Sequence, residues 1–265
     1  MTVRQVLISG AGSGFGRALA QRFAATGCRI GCADINVDNA RQTAAMLPGN
    51  GHRVYQVDVG DDASVRRWQS EVATTGDAVD ILINNAGIAS GGTLLEADMA
   101  EWQRVLNINL LGVVRACRAF LPAMQSAKGG HIVNIASFAA MAGGPGIMSY
   151  GVSKSGVYTL SEQLRAELHG SGIRVSVVCP AFFQTNLLSS WEGSERMRHV
   201  AERLMQNSPD TLDSVSKATF DAIERGDFLI LPTRREPGRW RIKRWLPELY
   251  FRQLMKLVTS RSRGG

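Results

Sequence analysis

Apolar runs of strand length, each followed by a stretch with helical spacing, recur through most of the chain. Residues 3–9 (VRQVLIS) form the first run, which enters a glycine-rich turn, GAGSGFG, and then a helical pattern ending at Gly27. A second strand, RIGCADI, ends at Asp34 and precedes a helix near 37–47, while a third, within HRVYQVDVGD, ends at Asp58 and precedes a helix from 62 to about 75. The fourth strand, DILINNAG, closes in a polar, glycine-containing turn at 84–87, and a long helix is expected over about 99–121, with Asn107 and Asn109 among its apolar positions. HIVNIAS reads as strand five, 149–168 as a helix, IRVSVVCPAF as strand six and FLILPT at 228–233 as the last strand. Repeated strand–helix units predict a parallel sheet covered on both faces, a doubly wound α/β fold in a single domain.

Composition narrows the function classes. Hydrophobic residues make up 45% and charged residues 20% of the 265, ordinary values for a globular protein with a sizeable core. The opening MTVRQVLISG enters a strand pattern at once, so no signal peptide is expected, and no run of about 18 apolar residues suggests a membrane span. These features predict a cytoplasmic location. Cys28, Cys32, Cys117 and Cys179 lie scattered in apolar segments without metal-ligand spacing, so buried reduced thiols are expected and a metal site is not. The net charge of +7 is unevenly placed: residues 230–265 carry +8 and everything before them −1. A neutral body with a basic tail makes nucleic acid an unlikely partner.

Candidate chemistry sits at the ends of the apolar runs. Gly10, Gly14 and Gly16 permit a tight turn and a close backbone approach to a diphosphate at the start of a helix, as a Rossmann-type nucleotide site requires. Asp34, at the end of the second strand, can accept hydrogen bonds from an adenosine ribose and would repel a 2′-phosphate, which favours NAD over NADP. Asp58 and Asn85 lie at strand ends where a ligand would gather, or else cap those strands. Tyr150 and Lys154, four residues apart on one helix, can share a cleft, where the ammonium would favour the phenolate. Ser137, at the end of strand five, can add a hydroxyl to a proton-transfer site.

Taken in order, GAGSGFG, Asp34, NNAG, Asn109, Ser137, the Y-x-x-x-K of Tyr150 and Lys154, and Pro180 after strand six resemble the short-chain dehydrogenase/reductase family in its compact form, over residues 3–190. The resemblance implies that Tyr150 is the general acid/base and that Ser137 hydrogen-bonds the substrate oxygen. It further implies that Lys154 lowers the tyrosine's pKa and holds the nicotinamide ribose, with Asn109 anchoring a water between Lys154 and solvent. Gly10, Ser13, Gly14, Phe15 and Gly16 would hold the diphosphate and adenosine side, Asp34 the adenosine ribose, and Asp58 with Val59 the adenine. Asn85 and Gly87 would line the cofactor cleft, and Thr185 would contact the carboxamide region. Three residues depart from the family pattern: Ser9 replaces a threonine, Phe15 an aliphatic residue and Ala181 a glycine. Homodimers or homotetramers are implied by the resemblance alone.

The segment after strand six, about 182–210, is rich in Phe, Leu, Trp and Met, and reads either as a lid over a hydrophobic alcohol or ketone or as core packing. Residues 1–233 thus form the dinucleotide-binding and catalytic domain, and 234–265 a basic amphipathic extension. In that extension a short turn is expected before Pro247 and a helix after it. The extension suits an anionic membrane surface, a subunit interface or a cover on the substrate cleft. The reading is an NAD-preferring alcohol dehydrogenase or ketone reductase; an NADP-dependent reductase and a non-catalytic dinucleotide sensor are the alternatives.

Overall fold

The computed structural model describes residues 3–262; residues 1–2 and 263–265, the outer ends of the two spans assigned above, lie outside the described residues. Seven parallel strands form the main sheet: β1 (Gln5–Ser9), β2 (Arg29–Asp34), β3 (Arg53–Gln56), β4 (Ile81–Asn84), β6 (Gly130–Ile135), β7 (Ile173–Val178) and β9 (Leu229–Ile230), in the order β3-β2-β1-β4-β6-β7-β9. Two further strands, β5 (Ala89–Gly91) and β8 (Trp191–Gly193), pair with each other outside it. Every residue of β1 and β4 is buried, as a sheet covered on both sides demands. Alternate residues of each strand feed two cores. Leu7, Leu82 and Ile132 join Trp68 and Phe120 on one side, and Val6, Ile8 and Ile83 join Phe23 on the other.

Four helices begin where short polar side chains satisfy the free amides of a first turn. Asn36 caps α2 (Val37–Met46), Asp61 caps α3 (Asp62–Ala73) and Asp98 caps α4 (Met99–Leu106). Thr211 and Ser214 form a reciprocal capping box on α9 (Leu212–Arg225), which stops at Gly226 in the left-handed region. By contrast, α1 (Gly14–Ala25) starts at Ser13 with no side-chain cap. Its first amides face the point where the strand order reverses between β1 and β4. Crevices at such reversals are where doubly wound sheets bind ligands.

Several expectations need correction. The third strand stops at Gln56, so Asp58 lies in the loop beyond it, and the last strand contracts to Leu229–Ile230. The long helix is real but not uniform: α4 passes into a π-helical turn, Asn107–Leu111, and then into α5 (Gly112–Ser126). Met99–Ser126 is apolar and long enough to cross a membrane by composition, contrary to expectation. Its Val113, Ala116, Cys117, Phe120 and Met124, however, are buried against the sheet. The residues before Pro247 form a helix of their own, α10 (Glu236–Trp245), rather than a short turn; α11 (Pro247–Ser262) follows as expected. The four cysteines are free and buried, as predicted, and burial pushes the thiols of Cys32, Cys117 and Cys179 up to about 12.

One core residue carries a pH liability. His131, 1% exposed, lies 2.8 Å through Nε2 from Ser176 Oγ, which donates its own proton to the Asp227 carbonyl. Nε2 must therefore donate, which leaves Nδ1 as a buried acceptor without a partner. Burial, and secondarily Arg174, push the imidazole from 6.5 to about 4. Because this pKa is depressed in the fold, the unfolded chain binds more protons between the two values, and the stability that neutral His131 confers is lost as pH falls through that window. The full effect is on the order of 3 kcal/mol. Urea denaturation between pH 7 and about 4 is expected to show this acid slope in the parent and a shallower one in His131→Asn; equal slopes would contradict the assignment.

Candidate active site

The glycine turn is held from three directions. Asp34 accepts the Gly12 amide on Oδ2 at 2.8 Å and the Asn36 amide on Oδ1 at 2.9 Å, so both carboxylate oxygens already orient the turn and the end of β2. Arg17 donates to the Gly12 carbonyl and to Thr43 Oγ1, and Thr43 donates to the Ala11 carbonyl. On the β4 side, Asn85 Nδ2 donates to the carbonyls of Ser9 and Gly10 at 3.0 and 3.1 Å, while the Ser9 hydroxyl accepts the amides of Asn85 and Ala86. The hydroxyl is the feature of this position that matters, so serine serves where threonine is usual. Asn85 is thus a strut between two strand ends, and its side chain is committed to the backbone.

Close approach explains the glycines. Gly10 and Gly14 sit at φ +66° and +50°, which residues with a Cβ disfavour. A Cβ on Gly16 would lie 2.2 Å from the Gly10 carbonyl oxygen. The uncapped first turn of α1, with no acidic residue in it, leaves amides and the Ser13 side chain free beside a cavity of about 440 Å³ lined by Gly14, Arg17, Gln184, Thr185 and Leu212 among others. These features fit the diphosphate of a dinucleotide. Phe15 points the other way: it is buried and meets Phe183 edge-to-face, with ring centroids 5.5 Å apart. The departure at Phe15 therefore has a packing partner in the segment after β7.

Asp58 and Val59 are mostly occupied with the fold. Asp58 Oδ1 accepts the Gly60 amide, and the Asp58 amide is held by Ser64. Val59 is 8% exposed and packs on Gly112. Thr185 is half-buried, extended, and lines the cavity beside α1.

The other four predicted residues converge. α7 (Met148–Glu167) presents Tyr150 and Lys154, with Lys154 Nζ 5.9 Å from the Tyr150 ring centroid. Lys154 is 5% exposed and donates to the Ile135 carbonyl at the end of β6, at 3.0 Å. Burial lowers its pKa to about 8. Tyr150 accepts the opposite penalty: burial raises its phenol, and a hydrogen bond with Ser137 pulls it partly back. Ser137 Oγ also accepts the Ala139 amide, at the start of the one-turn helix α6 (Ala139–Ala142).

Asn109 is fully buried in the π turn, accepting the Ile88 amide at 2.8 Å and donating to the Ile88 carbonyl and Ser153 Oγ. Gly87 separates it from the lysine: a Cβ there would lie 3.0 Å from Asn109 Oδ1 and 3.4 Å from Lys154 Nζ. Asn107, by contrast, serves the fold alone, bonding the Gly60 carbonyl and Arg115.

Two supporting features escape sequence reasoning. Buried Glu101 accepts from Ser149 at 2.7 Å, and Ser149 lies 2.6 Å from Ser90, so α4, β5 and the first turn of α7 are tied together immediately before Tyr150. Three residues from three separate elements leave no spacing to read. The second is the closure of the predicted lid. β8 pairs with β5, the Trp191 ring packs on Gly91, Met197 of α8 (Glu195–Gln206) packs on Gly146, and Arg104 pairs with Glu192. Of the apolar lid residues, Phe183 and Met205 are buried in the body, whereas Phe182 is 38% exposed.

A dinucleotide cradle at the reversal of strand order, facing a hydroxyl, a phenol and a buried ammonium, defines an oxidoreductase site. The chain belongs to the short-chain dehydrogenase family, whose model matches residues 4–196. It is 34% identical over 186 residues to the meso-2,3-butanediol dehydrogenase of Serratia marcescens, covering 70% of this chain and 74% of that one. Similarity to the probable oxidoreductase EphD of Mycobacterium tuberculosis reaches 38% over 188 residues, 70% of this chain but 32% of EphD, so the chain matches about a third of that relative's length. Among solved structures, a short-chain dehydrogenase/reductase from Burkholderia phymatum in complex with NAD superposes with a TM-score of 0.86 at 29% identity, over 93% of this chain and 95% of that one.

Gly16→Ala tests the cradle. With its Cβ 2.2 Å from a backbone oxygen and 2.6 Å from Asn85 Nδ2, the turn must shift. A loss of about 1–3 kcal/mol in stability and loss of NADH binding by fluorescence titration are expected, and parental affinity in the variant would refute the close-packed turn.

Proposed function

We propose that this short-chain dehydrogenase is an NAD-preferring enzyme that interconverts a secondary alcohol and a ketone on a hydrophobic substrate, with Tyr150 as the general acid/base. The observation that carries the reading is the convergence of Ser137, Tyr150 and Lys154 beside the glycine turn. Bound nicotinamide supplies the hydride chemistry; the chain supplies position and protons. Ser137 Oγ orients the substrate oxygen toward the phenol, and the Tyr150 hydroxyl gives or takes the proton at that oxygen. Lys154, held by the Ile135 carbonyl, brings a positive charge that favours the phenolate once the site is loaded, and it hydrogen-bonds the nicotinamide ribose.

NAD preference is supported by where the cations are. Arg29 pairs with Asp77 and Arg41 with Asp38, so neither is held toward a 2′-phosphate beside Asp34. The hydrophobic substrate rests on the apolar segment that closes over β5, with Phe182 and Met148 partly exposed. An assembly of two or four copies is part of the same reading, and cytoplasmic location a further part.

Tyr150→Phe is expected to lower turnover at least about 10²-fold, on the scale of general acid–base catalysis, while leaving NADH affinity within about twofold, within the margin expected of one undisturbed binding mode. A fluorescence titration and absorbance assays over a panel of apolar alcohols and ketones measure both. Undiminished turnover would remove Tyr150 from the mechanism. Tighter binding of NADPH than of NADH would overturn the role given to Asp34.

A further inference from the structure

The extension divides into a face that the body explains and a face that it does not. Trp240 packs against the core, Tyr250 is 9% exposed, and two bonds pin the helices to the loop between Ser137 and Tyr150. Lys243 Nζ donates to the Met141 carbonyl and the Tyr250 hydroxyl to the Ala142 carbonyl, both at the end of α6. Leu254 and Val258, at helical spacing from Tyr250, turn inward with it. The corner where α10 meets α11 does the opposite. Trp245 is 76%, Leu246 54%, Leu249 45% and Phe251 55% exposed, so four large apolar side chains within seven residues are left to solvent on a docked element. Such a cluster is unusual on a soluble surface and marks an interaction site.

Its surroundings select the partner. Arg252 and Lys256 follow Leu249 on its own side of α11, and Arg241 and Arg244 are exposed on α10, with Arg244 lying over the Trp240 ring. Among the described residues, no carboxylate forms an ion pair with any of the four. A second copy docking by a two-fold axis would bring this patch against itself and set like charges face to face. An anionic lipid surface complements both features: tryptophan, leucine and phenylalanine enter the headgroup and acyl boundary, and the arginines and lysine meet phosphate. We propose that the α10–α11 corner docks this protein on anionic phospholipid membranes. The docking is peripheral, and it sets the loop between Ser137 and Tyr150 next to the membrane-bound edge of the molecule.

Co-sedimentation of the full chain with phosphatidylcholine vesicles, with and without phosphatidylglycerol, tests this independently of any turnover. Binding is expected only with phosphatidylglycerol, weakening as salt rises, with a blue shift in fluorescence that Trp245→Phe removes. The double variants W245S/F251S and R241E/R252E alter exposed side chains and are each expected to lose at least about tenfold in vesicle affinity at unchanged melting temperature. Absence of binding to anionic vesicles at low salt would overturn the proposal, as would binding that both variants retain. A concentration-dependent dimer in light scattering that W245S/F251S abolishes, without vesicle binding by the parent, would assign the corner to a second copy instead.

Discussion

Lys154 is an ammonium placed where water barely reaches, and among the described residues no carboxylate pairs with it. Its burial is tolerable because the Ile135 carbonyl accepts from it and because its charge can be shed near pH 8. That arrangement constrains everything around it. The end of β6 must stop at Ile135 with its carbonyl turned to the helix, α7 must lie close enough for the lysine to reach, and the loop after β4 must pass without a side chain at Gly87. Ser137 and Tyr150 then fall at the two ends of a loop whose start and finish are already placed. The raised phenol and the lowered ammonium describe a pair whose charges are both costly to bury, and which a polar ligand would relieve.

Much of this was legible because it depends on local signals. Strand-length apolar runs, glycines at the first turn and a tyrosine four residues before a lysine each occupy a few adjacent positions. The unread parts depend on distance. β5 and β8 are three residues each, Ala-Ser-Gly and Trp-Glu-Gly, too short for any alternation, and they exist only because the segment after β7 returns to pair with them. The helix α10 begins with Glu236, Pro237 and Gly238, and the glycine argues for a turn although a proline at the start of a helix is ordinary. Asn85 reads from the sequence as either a cleft-lining residue or a strand cap, and the bracing it provides is invisible there because the carbonyls it binds lie 75 and 76 residues earlier.

Phe15 shows how one residue connects two functions. It sits inside the glycine turn, yet its ring belongs to the pair with Phe183, at the base of the segment that closes over β5. The turn that would hold a diphosphate and the segment that would hold a substrate therefore share one aromatic contact. On the far side of the same cleft, the extension grips the carbonyls that end α6. The site is bounded by elements from both halves of the chain, although Ser137, Tyr150 and Lys154 all fall within a stretch of 18 residues.

The π turn at Asn107–Leu111 has a further effect. Its closing bond, from the Gly112 amide to the Asn107 carbonyl, accommodates one residue more than an α-helical turn would. Each helical residue advances the face by about 100°, so the extra one acts as a phase shift between the half of the helix that supplies Asn109 to the cleft and the half that buries Val113, Ala116, Cys117 and Phe120. Losing a single residue here would put the two halves in phase and turn one of them away from its target. This helix should consequently accept many substitutions along its exposed side, yet almost no change in its length.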